Sequence, residues 1–84
     1  MTFVDLETGK RYSGRLEAEI GSHGHPEQLI VLTPVSKRSK EKERRMSRET
    51  FFGFLLIEAT LDEVSRLDRA GYHLRLAKDF GGEV

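Results

Sequence analysis

The sequence contains no cysteine, no tryptophan and no asparagine, and only two prolines. Without thiols there is neither a disulfide framework nor a thiolate metal site, so a domain this small must stand on its hydrophobic core or on a partner subunit. No run approaches the roughly 18 apolar residues of a membrane span, and Met1-Thr2-Phe3-Val4-Asp5 lacks the basic and apolar regions of a secretion signal. These absences point to a cytoplasmic protein with no membrane partner. An excess of one charge is also missing, since 14 Lys and Arg face 14 Asp and Glu, which excludes a wholly basic nucleic-acid binder. Charged residues still make up 33% of the 84, a balance in keeping with a heat-adapted source. A chain of this length buries only roughly 60–65% of its unfolded surface, enough for one two-layer core and too little for a deep multi-step active site.

Thr2 to Leu6 has strand-type residues, and Glu7-Thr8-Gly9-Lys10 carries Gly where a hairpin needs positive φ. The returning strand places Tyr12, Leu16, Ala18 and Ile20 on one face and Arg11, Ser13, Arg15, Glu17 and Glu19 on the other, with Gly14 expected at a bulge. Because Tyr12, Leu16 and Ile20 are also four apart, a helix over 13–21 is the competing reading. After the loop Gly21 to Pro26, Leu29-Ile30-Val31-Leu32 reads as a strand buried on both faces, closed by Pro34. Thr50 to Glu58 is the most apolar stretch and the expected central strand, with Gly53 marking a bulge or a close contact. Thr60-Leu61-Asp62-Glu63 is a capping box, Leu61, Val64, Leu67 and Ala70 form the inward stripe, and Gly71 with Tyr72 suits a Schellman C-terminus. Tyr72, Leu74 and Leu76 then alternate as a last strand.

The expected fold is therefore α+β: a small, mainly antiparallel sheet of about five strands with one helix over 61–70 between the last two strands. If 13–21 is helical, the order becomes the ferredoxin-like βαββαβ. The domain is expected over 1–80, with 81–84 a flexible tail.

Residues 37–48 stand apart. Lys37, Arg38, Lys40, Lys42, Arg44, Arg45 and Arg48 outnumber Glu41 and Glu43 by five, so the remaining 72 residues carry a net of minus five. The neutral total conceals a dipolar molecule. With Met46 nearly its only apolar residue, this segment is expected to project into solvent as a basic loop able to grip phosphates through Lys point charges and Arg forks. Solvation, or pairing with the acidic surface of a second copy, is the other reading of such a segment.

Phe52-Gly53-Phe54-Leu55 resembles the centre of the strand motif of RNA-recognition-motif domains, where aromatics on an open sheet stack on bases. Thr50, Phe51 and Ile57 depart from that motif, and core packing is the competing role for these aromatics. His23 and His25 flank a glycine and would need a carboxylate such as Glu27 to hold a metal. No third ligand is marked by spacing, so no metal is assigned. No nucleophile, Gly-rich phosphate loop or carboxylate pair marks a catalytic site, and a non-enzyme without a cofactor is expected.

Two functional readings follow. One is a small cytoplasmic nucleic-acid-binding domain, RNA before DNA, contacting the phosphate backbone through Lys37, Arg38, Lys40, Lys42, Arg44, Arg45 and Arg48. The other is a non-enzymatic interaction module or homo-oligomer in which part of the Phe51 to Ile57 surface is shared between subunits.

Overall fold

The computed structural model describes residues 1–77. Within them run β1 (Thr2–Asp5), β2 (Arg11–Ile20), β3 (Pro26–Pro34), β4 (Arg44–Met46), β5 (Phe54–Glu58), α1 (Leu61–Arg69) and β6 (Arg75–Leu76). They form one six-stranded sheet in the order β4-β3-β2-β1-β5-β6. Every neighbouring pair is antiparallel except β5 and β6, which α1 joins as a parallel crossover. The expected tail at 81–84 lies outside the described residues.

The alternation along β2 prevails over its four-residue spacing. Tyr12 to Ile20 pair residue by residue with Pro34 to Pro26, so 13–21 is not helical and the ferredoxin-like order does not arise. The physical reason is nonlocal: the nine-position ladder with β3 satisfies the backbone while burying Tyr12 and half-burying Leu16. Gly14 is not a bulge, since the β2–β3 register runs through it unbroken. The irregularity falls instead between Thr2 and Phe3, where β1 meets β5. Gly14 is small because the Phe3 ring lies over it: a Cβ there would sit 2.6 Å from Phe3 Cε2.

The core lies on the face covered by α1. Phe3, Tyr12, Ile30, Leu32, Phe51, Phe54, Leu56, Leu67 and Tyr72 are buried together. Ile30, Val31 and Leu32 are all fully buried, as a strand covered on both faces requires. β5 begins only at Phe54, although the apolar stretch starts at Phe51, and it is the second strand from the β6 end, between β1 and β6, rather than the central strand expected. Gly53, at φ +84°, turns the chain just before the strand. Phe51, Phe54 and Leu56 are consumed by the chain's own core, whereas Phe52 is 78% exposed.

The helix begins as its capping box predicts. Thr60 Oγ1 accepts from the Glu63 amide at 3.1 Å, and Glu63 Oε1 accepts from the Thr60 amide at 2.9 Å. It ends in a Schellman motif, with the Tyr72 amide donating to Leu67 O and the Gly71 amide to Asp68 O, both at 3.0 Å. Val64, Leu67 and Ala70 pack inward, but Leu61 is exposed. At about 100° per residue Leu61 lies roughly 120° from Leu67, outside the stripe, whereas Glu63 lies roughly 40° from it. Glu63 uses that inward position to accept from the N-terminal amine at 3.1 Å. The last strand is only Arg75–Leu76, and Leu76 is exposed because β6 is a sheet edge.

Candidate nucleic-acid interface

The basic segment is partly folded into the sheet. Arg44-Arg45-Met46 forms β4 on the open edge of β3, with Met46 opposite Ile30 and Arg44 opposite Leu32. A segment with one apolar residue forms a strand because β3 presents unpaired backbone groups and Met46 joins the core at the same place. The loop before it is shaped locally by serines. Ser36 Oγ accepts from the Arg38 amide and Ser39 Oγ from the Glu41 amide, the short-range bonding that turns favour.

Strand alternation separates the cations. Arg44 and Arg45 are neighbours in sequence and lie on opposite faces of the sheet, as their partners show. Arg44 lies on the core side, where its guanidinium donates to the Tyr12 hydroxyl at 2.7 Å and sits 4.9 Å from the Tyr12 ring centroid and 5.7 Å from that of Phe54. The Tyr12 hydroxyl in turn donates to Glu41 Oε2 at 2.8 Å, and Lys10 Nζ donates to Glu41 Oε1 at 3.0 Å. These bonds, led by that from Lys10, hold the Glu41 carboxyl below the usual carboxylate range. The loop is thus drawn back onto the β1–β2 hairpin.

Arg45 belongs to a charge ladder on the other face. Glu43 accepts from Arg15, Arg15 also binds Glu17, and Arg45 reaches Glu17 at 3.1 Å and Glu19 at 3.7 Å. Arg15 and then Arg45 depress the Glu17 carboxyl, and the Thr33 hydroxyl followed by Arg15 depresses that of Glu43. The stems of Arg15 and Arg45 are register partners of Val31, which accounts for the complete burial of this valine on a face without a helix. Arg48 pairs with Glu49 and lies against Gly71 at the C-terminal end of α1, where a cation complements the helix dipole.

Lys37, Arg38, Lys40 and Lys42 differ from these three: among the described residues none has a carboxylate within ion-pair distance. Two of them, Arg38 and Lys40, line a cleft of about 910 Å³ between the β1–β2 hairpin and the loop after β3. Lys10 and Arg11 contribute the other cations of its rim, and Tyr12, Pro34 and Val35 give it apolar wall. The structure thus brings Lys10, Arg11, Arg38 and Lys40 onto one shaped surface, whereas Lys37, Lys42, Arg44, Arg45 and Arg48 do not line it. Arg11 and the cleft were not legible in the sequence, because the hairpin and the loop are some 25 positions apart and meet only through the β2–β3 pairing and the Glu41 bonds.

The remaining candidates separate cleanly. Phe54 is buried against Tyr12 and Phe51 on the covered face, so it presents no ring to a base. His23 Nδ1 accepts from the His25 amide and its Nε2 lies 2.9 Å from Glu27 Oε1, which engages both ring nitrogens. Among the described residues no group of three or more His, Asp or Glu side chains is placed to hold a metal ion, and no helix is long and apolar enough to cross a membrane. Comparison with protein-family models, curated proteins and solved structures finds no match.

Proposed function

We propose that this protein binds nucleic acid through its phosphate backbone, with RNA as the first ligand to test, and that Lys37, Arg38, Lys40 and Lys42 make the principal contacts. The observation that carries this reading is that, among the described residues, these four cations have no carboxylate within ion-pair distance, whereas Arg44, Arg45 and Arg48 each do. An unpaired Lys or Arg on a pre-shaped loop is compensated by a polyanion without first breaking an ion pair of its own. Arg44 and Arg45 support the loop and its strand, and Arg44 also keeps Tyr12 and Glu41 in place beneath it.

Binding of a labelled RNA of mixed sequence, measured by gel shift at rising salt, tests the proposal. The expected result is an affinity that falls as salt rises, with a shallower dependence when Lys37, Arg38, Lys40 and Lys42 are all changed to Ala. Absence of any salt-sensitive retention of RNA or DNA overturns it.

A further inference from the structure

We propose that the cleft beside the loop receives an unpaired base, so that the protein selects single strands over duplexes; this rests on the phosphate-binding reading above and adds a ligand class to it. Three features of the cleft carry the inference. Its wall is apolar where the loop leaves β3: Pro34 is half-buried, and Val35, 53% exposed, has its amide fixed to Arg11 O at 3.1 Å. Its rim is cationic, with Arg11, Arg38 and Lys40 placed to meet the phosphates on either side of an inserted base. The one acid in its lining, Glu41, is already neutralised by Lys10 and bonded to Tyr12, so it offers little repulsion to an anionic strand.

The shape favours a single strand for a simple reason. In a duplex every base face is covered by its neighbours, and exposing one costs several kcal/mol of unstacking and unpairing. A single strand presents those faces freely, and an apolar wall beside fixed cations stabilises base and phosphate together. A duplex meets only the rim. The loop is held in place by Ser36, Ser39 and the Lys10–Glu41 pair, so the cleft exists before the ligand arrives and little ordering opposes binding.

The test compares a single-stranded oligoribonucleotide of about ten nucleotides, a length within the range of small single-strand sites, with the duplex of the same sequence and with a free mononucleotide, all against the full chain at one salt concentration. The single strand is expected to bind about tenfold or more tightly than the duplex. Val35→Ser, a neutral change at an exposed position outside the core, is expected to reduce the preference for the single strand over the duplex; an unchanged preference would overturn the inference. Equal binding of strand and duplex overturns the inference and leaves the phosphate reading standing. Binding of neither overturns the phosphate reading itself. A mononucleotide bound as tightly as the oligomer also overturns the inference, because the cleft would then be a small-molecule site that owes nothing to a strand.

Discussion

The Arg44 guanidinium both donates to the Tyr12 hydroxyl and lies 4.9 Å from the Tyr12 ring centroid. One cation thereby satisfies the polar end of a tyrosine that is only 1% exposed and packs on its aromatic face. Arg44→Ala is expected to destabilise the protein by about 1–2.5 kcal/mol, the combined worth of one such hydrogen bond and one cation–π contact. Lys42→Ala, which breaks no ion pair among the described residues, is expected to stay within about 0.5 kcal/mol. Urea unfolding of the two variants separates a structural cation from a free one; equal losses would remove the distinction between them.

Tyr72 ties the end of the helix to the sheet edge. Its hydroxyl lies 2.9 Å from Gln28 O and 2.9 Å from Met46 O, between β3 and the end of β4. Tyr72→Phe leaves these carbonyls without the shared donor and should cost about 1–2 kcal/mol, read as a melting point lower by roughly 4–16 °C for a domain of this size. Burial raises the Tyr72 phenol above the usual tyrosine range. Its contribution to stability is therefore complete below about pH 10 and is lost as pH rises through the higher folded value. Ultraviolet titration of the phenolate in wild type and variant checks the assignment.

Acid should loosen the loop before it unfolds the core. Glu17, Glu41 and Glu43 are all held below the ordinary carboxylate range, chiefly by Arg15, Lys10 and Thr33 respectively. A depressed folded value means that the stabilisation is fully present above about pH 4.3 and disappears as pH falls through the folded value. Protection factors of the amides within 36–46, referred to the intrinsic exchange rate at each pH, are expected to fall below that pH while Ile30 and Leu56 stay protected. Because the pairs are exposed, high salt at neutral pH should weaken them in the same direction.

Packing at Gly14 is testable without touching a charge. The Cβ of Gly14→Ala would meet the Phe3 ring at 2.6 Å, and Phe3 is completely buried, so the ring has little freedom to retreat. A loss of about 1–3 kcal/mol is expected. Thermal unfolding measures it, and a neutral result would show that the ring moves freely.

Two of the three phenylalanines of the Phe-rich region give a matched comparison. Phe54→Ala removes a ring that stacks on Phe51 at a centroid distance of 5.1 Å and packs edge-on to Tyr12 at 6.1 Å, and should cost about 3–4 kcal/mol. Phe52→Ala removes an exposed ring and should change stability by less than about 0.5 kcal/mol. Denaturant midpoints decide between them.

Local chemistry was enough for much of this molecule. The hairpin glycine, the alternation along β2, the apolar run of β3, the capping box at Thr60 and the Schellman pair Gly71–Tyr72 each act within a few residues, so each was readable in the chain. The segregated charge of residues 37–48 was equally plain. Three matters were settled only in the folded chain. Leu61 and Phe52, apolar by composition, ended outside the core because helix phase and the Gly53 turn rotated them away. β4 formed from a nearly apolar-free segment because β3 had an open edge to offer. Seven cations that read as one patch were divided by strand alternation and by acids on β2 and in the loop, leaving four without an ion-pair partner among the described residues, two of them on a cleft that the β1–β2 hairpin completes. Sequence alone thus determined the elements other than β4 and the charge of the basic segment; only the tertiary pairing of strands decided which of those charges are paired among the described residues, because an ion pair depends on which surfaces the sheet brings together.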